Sequence, residues 1–307
     1  MSESVKIIQQ SQRLASAHSI EAEEENRMEL ITANVFCSDN SAGGNPCAII
    51  DNANNLTPET MQPMATRLNL PETIFILQKK DRYILRFFAT KGELPLCCHG
   101  TLGAVFYLTH QKGTRFSSLD SYNGINIRTA CTATTASMFV AKGQLIKTPI
   151  KLSEVAQLLN LDVAQIDSSQ ACVVASIGSP KLLVPIQNRK RLFEIKPNND
   201  LIIEWCRKNK INGLYIYSTD TIDPQADFVA RNFNPLFSDQ EDIATGVAAA
   251  SLCQAQLLMA NQSTGNFIVE QGYNLEKPSK IQISVSQDDI EISGNVTLCV
   301  SHINESS

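Results

Sequence analysis

Glu93-Leu94-Pro95-Leu96-Cys97-Cys98-His99-Gly100-Thr101 and Glu241-Asp242-Ile243-Ala244-Thr245-Gly246-Val247 are the two stretches on which the reading of this chain turns. Each starts acidic, reaches a glycine and runs into a long apolar segment free of proline, through His110 in the first case and through Ala260 in the second. Such an unbroken Ala- and Leu-rich segment predicts a buried helix. Working outward, each stretch follows a strand-like run, Leu85-Arg86-Phe87-Phe88 and Val229-Ala230-Arg231-Asn232-Phe233. Further upstream, Gly44-Asn45-Pro46 precedes Cys47-Ala48-Ile49-Ile50, and Gly178-Ser179-Pro180 precedes, after Lys181, Leu182-Leu183-Val184. The prolines at 46 and 180 lie 134 positions apart and the glycines at 100 and 246 lie 146 apart, in the same order. Two matched pairs in one order predict two copies of a β-rich unit, each wrapped on one apolar helix.

The rest of the chain agrees with a strand-rich plan. Leu30 to Phe36, Thr73 to Leu77, Tyr83 to Phe88, Ile125 to Arg128, Ala171 to Ile177, Leu182 to Ile186, Leu214 to Tyr217, Asp227 to Phe233, Asn266 to Glu270, Lys280 to Val285 and Val296 to Val300 are rich in β-branched and aromatic residues. Thr57-Pro58 is an N-cap and first-turn pair that opens a helix toward Leu68. Ser153 is placed to cap a helix through Leu159, and Asp200 another through Lys208. Many strands with few helices, in no regular alternation, predict an α+β fold. At the two helix starts, Gly100 and Gly246 expose free N–H groups that suit a small anion. Two such ends facing each other would orient a carboxylate-bearing ligand.

Composition narrows the function classes. The 307 residues are 43% hydrophobic and 19% charged, the profile of an ordinary globular chain of one or two domains. No apolar run approaches the roughly 18 residues of a membrane span. A net charge of -5 offers no field for nucleic acid. The nine cysteines contain no C-x-x-C, which predicts neither a metal site nor a redox motif, and reduced thiols in a cytoplasmic location. Residues 1–28 are polar, with Glu21, Glu23, Glu24 and Glu25 clustered, and predict a flexible extension.

Six motifs, in register, carry a family resemblance: Gly44-Asn45-Pro46, Asn69-Leu70-Pro71-Glu72-Thr73-Ile74-Phe75, the stretch from Glu93 to Thr101, Arg231-Asn232-Phe233-Asn234-Pro235, Glu241 to Gly246, and Glu270-Gln271-Gly272. Together the chain resembles the PhzF-like isomerases of phenazine biosynthesis, from about Leu30 to about Ile303. The resemblance implies an α+β fold of two pseudo-symmetric lobes of the diaminopimelate-epimerase type, each a curved sheet wrapped around a central helix. It implies a first lobe over 29–143, completed by strands from about 286–304, and a second lobe over 144–285. It also implies a cofactor-independent, metal-free isomerase acting on a small carboxylate, with a homodimer allowed for.

Carried over by motif, Glu72 is the expected catalytic acid/base. His99 and Asp242, with Gly100, Thr101, Thr245 and Gly246 at the helix starts, are the expected substrate-binding residues. Glu72 lies between Pro71 and an apolar run, where desolvation would raise its pKa. A helix N-terminus would lower that of His99. Three positions depart from the family pattern: Cys98 stands for a glycine, Val247 for a serine that helps bind substrate, and Lys277 for an arginine. Two alternatives stay open. A two-base racemase or epimerase would use Cys97, although Thr245 stands at the second thiol position. The other is a member of the fold that binds a metabolite without turnover.

Overall fold

In a computed structural model, which describes residues 29–302 apart from 40, 81, 115, 116, 237, 239 and 240, both apolar segments are helices, Cys98–His110 and Gly246–Met259. The expectations for 1–28 and 303–304 lie outside the described residues. The first half contains β1 (Glu29–Cys37), β2 (Asn45–Ile50), α1 (Pro58–Leu68), β3 (Glu72–Lys79), β4 (Arg82–Ala89), β5 (Gly92–Leu94), α2 (Cys98–His110), β6 (Ser118–Ser121), β7 (Asn126–Cys131) and β8 (Thr135–Ala141). The second contains β9 (Gln144–Ile146), α3 (Leu152–Leu158), β10 (Val173–Ser176), β11 (Lys181–Pro185), α4 (Arg189–Glu194), α5 (Asn199–Asn209), β12 (Leu214–Ser218), β13 (Phe228–Phe233), α6 (Gly246–Met259), β14 (Gly265–Gln271), β15 (Ser279–Val285) and β16 (Asp289–His302).

Strand pairing shows the repeat directly. In the first half β1 and β2 are antiparallel, β2 and β3 parallel, β3 and β4 antiparallel, then α2 crosses to β6, which is parallel to β4. In the second half β10 and β11 are antiparallel, β11 and β12 parallel, β12 and β13 antiparallel, then α6 crosses to β14, parallel to β13. The expected α+β fold of two pseudo-symmetric lobes, each a curved sheet around a central helix, is the one observed. β16 joins the halves: residues 289–295 pair with β8, 290–293 also with β15, and 295–302 with β1.

Both central helices are buried on every side until their last turns, which is why their sequences carry no polar stripe. They share one apolar cluster, from Ile31 and Leu102 to Leu252 and Ile292. Outside the sheets lie separate clusters, one under α1 with Phe75 and Phe88, and one under α3 and α5 with Trp205. Among the described residues no helix is long and apolar enough to cross a membrane.

The acidic approaches to the two central helices have a structural cause. Arg86, on β4, forks onto Glu93, with Nε and Nη2 each 2.8 Å from a carboxylate oxygen. Arg231, on β13, forks onto Glu241 at 2.9 and 2.7 Å. Both guanidiniums are buried, so each pair fixes the loop that aims its helix. A second device is a bulge in β1, where Phe36 takes φ 66° and lays its ring against Gly294, at which any Cβ would stand 2.5 Å from Phe36 Cδ1.

Local readings needed some correction. Thr57 caps α1 as expected, its N–H donating to the Thr60 hydroxyl at 3.0 Å. α5 is capped by Asn198 rather than Asp200, through a 3.2 Å bond from Leu201 N–H. α3 begins at Leu152, a residue before the expected cap. β8 escaped the strand reading because Ala136, Ser137 and Met138 have little β-propensity, and pairing with β7 and β16 decides it.

Candidate active site

Glu72 is the first residue of β3. Asn69 ends α1 in the left-handed region at φ 51°, and Leu70-Pro71 delivers the chain to a strand start flanked by Cys47 of β2 and Ala89 of β4. His99 is the second residue of α2, whose N-cap is Cys97: its Sγ accepts the Gly100 N–H at 3.3 Å. The imidazole is held between two partners. Nδ1 lies 3.5 Å from Cys97 Sγ, and Nε2 lies 2.8 Å from Glu72 Oε2. Despite that short approach, neither Glu72 Oε2 nor His99 Nε2 makes an aligned hydrogen bond, and both atoms are buried.

Burial works against a charged His99, but the Cys97 sulfur and the Glu72 carboxylate outweigh it and hold the pKa well above its usual value. Burial pushes the Cys97 thiol up to about 12, with His99 partly opposing, so the thiol keeps its proton near neutrality. The Glu72 carboxylate adds to the rise beside the Cys97 sulfur. The expectation of a lowered His99 pKa is overturned. A full charge at contact distance exceeds the half-charge of a helix end.

Asp242 stands opposite, ahead of α6. Its Oδ1 accepts Asn45 Nδ2 at 2.7 Å and its Oδ2 accepts the Thr245 hydroxyl, while its carbonyl accepts Gln271 Nε2 at 2.8 Å. Burial raises its pKa first. His99 opposes the rise, Glu72 adds to it, and the Thr245 and Asn45 bonds oppose it. Glu72, His99 and Asp242 thus form one electrostatic unit drawn from both halves of the chain.

The remaining expected residues have defined places. Contrary to the free N–H expected at the first helix start, Gly100 spends its N–H on the Cys97 sulfur, and Thr101 spends both N–H and hydroxyl on the Cys97 carbonyl, at 3.0 and 2.7 Å. Thr245 N–H donates to Gln271 Oε1 at 3.2 Å. Gly246 meets Cys98, whose Sγ would lie 2.7 Å from any Cβ placed there. The side chain that departs from the family glycine therefore fills the space between the two helix starts.

Sequence reasoning missed Asn45 and Gln271 as site residues, although both sit inside quoted motifs. It also missed a donor cluster. Among the described residues Glu72, Cys97 and His99 bring one oxygen, one sulfur and one nitrogen within 4.8 Å of one another. Cysteine spacing could not reveal it, because the third donor comes from another strand.

The comparisons with known proteins bear on the family and the fold. A family model described as phenazine biosynthesis-like protein matches residues 33–301. An uncharacterized isomerase of Clostridium acetobutylicum is 27% identical over 83% of this chain and 91% of its own length. A PhzF-family protein of Bacillus anthracis superposes with a TM-score of 0.79 at 23% identity, over 90% of this chain and 99% of that one. A hydroxyproline epimerase of Agrobacterium vitis superposes with a TM-score of 0.57 at 9% identity, over 90% and 91%, and shares the fold.

Proposed function

The chain belongs to the phenazine biosynthesis-like family, and we propose that it is an isomerase that moves a proton between carbons of a small carboxylate-bearing metabolite, with Glu72 as its single acid/base and no cofactor. The carrying observation is the 2.8 Å approach of Glu72 Oε2 to His99 Nε2, two buried atoms that lack an aligned hydrogen bond. Such atoms have bonding capacity in reserve for a ligand. The name of the Clostridium acetobutylicum relative supports the reaction class.

In this reading Glu72 takes a proton from a carbon beside an electron-withdrawing group. The C–H electron pair passes into the conjugated system, and Glu72 returns the proton to another carbon of the same molecule. A ring N–H of His99 donates to the oxygen on which charge develops. Asp242, held by Asn45 and Thr245, accepts from a substrate N–H or hydroxyl. The high pKa of the Cys97 thiol supports Glu72 over sulfur as the base, and Thr245 stands where a two-thiol mechanism needs its second cysteine. The two proposed lobes, 29–143 with 286–304 and 144–285, each contribute part of this unit. Nine cysteines without a disulfide among them support a reducing compartment such as the cytoplasm.

The test is solvent-deuterium incorporation into a panel of small unsaturated acids and amino acids, read by mass spectrometry. At least one should gain a single deuterium with the wild-type chain and none with Glu72→Gln. Equal incorporation by both proteins would remove Glu72 from the chemistry.

A further inference from the structure

Sulfur, nitrogen and oxygen converge at the start of α2. Cys97 and His99 are 7% and 6% exposed, and the Glu72 side chain 18%, so the cluster is closed behind and open on the Glu72 side. Its donor atoms lie within 4.8 Å of one another. Tetrahedral zinc bonds of about 2.3 Å to sulfur and about 2.0–2.1 Å to nitrogen and oxygen set donors roughly 3.3–3.6 Å apart. Cys97 Sγ lies 3.5 Å from Nδ1 and Glu72 Oε2 lies 2.8 Å from Nε2 of the same ring, so one ring nitrogen takes the ion and the donors, within 4.8 Å of one another, close toward that value as the ring turns.

We propose that Glu72, Cys97 and His99 bind one thiophilic divalent cation, zinc being the best match, and that the bound ion silences Glu72. A thiolate beside an imidazole selects zinc over magnesium or calcium, which take oxygen ligands. Two of the three donors are the buried atoms that lack an aligned hydrogen bond. The Gly100 N–H already aimed at Cys97 Sγ would stay on the metal-bound thiolate. Asp242 adds a further carboxylate nearby, as its electrostatic coupling to Glu72 and His99 shows. On binding, the Cys97 S–H bond and the N–H bond of the ligating His99 nitrogen break, both protons leave to solvent, and sulfur–metal and nitrogen–metal bonds form with no change in oxidation state. A fourth position would face the Glu72 side and hold water.

The silencing rests on Glu72 being the proton carrier proposed above, but the binding does not. The chelator-treated full chain is titrated with cobalt(II), which reports tetrahedral thiolate ligation by a near-ultraviolet charge-transfer band, and the cobalt is then displaced by zinc. One cobalt per chain with that band is expected. Cys97→Ser should abolish the band, and Glu72→Gln should keep it while weakening affinity by about tenfold or more. Cys131→Ser serves as the control, because Cys131 and His110 form a surface pair at 3.8 Å with no third donor among the described residues. No saturable band in the wild type, a band that survives Cys97→Ser, or one lost in Cys131→Ser would overturn the site. Should Cys97→Ser fail to fold, unchanged affinity in Glu72→Gln would overturn it. A deuterium panel that finds no substrate would sink the isomerase reading and leave the cobalt result standing.

Discussion

The Asn45 amide donates to Asp242 Oδ1 at 2.7 Å and to the Ala244 carbonyl at 2.9 Å, joining residues 197 positions apart. Asn45 opens β2, beside the strand that starts with Glu72, and is fully buried. One side chain from the first half therefore sets the position of the carboxylate contributed by the second. Asn45→Ala leaves a buried carboxylate and a carbonyl short of a donor, a loss of about 1–3 kcal/mol. Asn45→Asp goes further by setting a like charge against Asp242. Thermal melts should rank wild type above Asn45→Ala and Asn45→Ala above Asn45→Asp, with deuterium exchange falling in the same order. An Asn45→Asp protein as stable and active as wild type would show that this bond organises nothing.

Glu72→Gln tests the proton carrier. The amide preserves size at a strand start but cannot accept and return a proton. Exchange should fall by about 100-fold or more, the usual scale of general acid–base catalysis. Circular dichroism should not change. Retention of more than a few per cent of the wild-type rate, about the lower edge of that scale, would assign the proton to another group.

His99 makes a pH prediction. Its folded pKa is raised above the unfolded value of about 6.5. The folded state thus binds the proton more tightly, and the stabilisation is complete below about pH 6.5 and lost as pH rises through the folded value. The buried thiols also have raised values, but they affect stability only above their unfolded pKa of about 8.5. Between about pH 6.5 and 8 the buried Lys181, lowered to about 8, begins to act with the opposite sign at the upper end, so the imidazole is isolated by comparing melting temperatures of the wild type with those of His99→Gln. The wild type should lose stability across that window faster than His99→Gln. Parallel slopes would mean that His99 carries no charge there.

How much of this was legible depended on how far apart the partners lie. The helices 98–110 and 246–259 could be read because burial on all sides demands an unbroken apolar segment, and the segment is local. The acidity of Glu93 and Glu241 was visible, yet its cause was not: Arg86 and Arg231 meet them only after the chain turns back from β4 and β13. The order Glu72, His99, Asp242 came from motif register. Their contacts with Asn45 and Cys97 depend on how two curved sheets meet, which no local pattern encodes. The His99 pKa was misjudged for the same reason, since the helix end is local and the Glu72 carboxylate is not.

Cys97→Ser separates carboxylate from thiol chemistry. The sulfur caps α2 through the Gly100 N–H, a task that a serine hydroxyl performs well. With the thiol held protonated near neutrality, metal-free Cys97→Ser should keep exchange within about tenfold, well under the general acid–base scale. Complete loss in a folded variant would favour a mechanism with sulfur as one of two bases.

Gly246 and Cys98 give a test of how the two helix starts fit together. A Cβ on Gly246 would stand 2.7 Å from Cys98 Sγ and 2.8 Å from Ile292 Cγ2, both inside van der Waals contact. Overpacking of this kind costs about 1–3 kcal/mol, so Gly246→Ala should melt well below wild type. Cys98→Gly removes one of the two clashes at the cost of a weak helix former in the first turn, up to about 1 kcal/mol. The double variant should therefore lose less than the sum of the single losses. The coupling should also appear in exchange, because the Cys98 thiol lies against Gly246 and feels the charge of Asp242. Strictly additive losses in a double-mutant cycle would show that Cys98 does not set the separation of the two helices. The contact with Ile292 would then be the one that keeps position 246 a glycine.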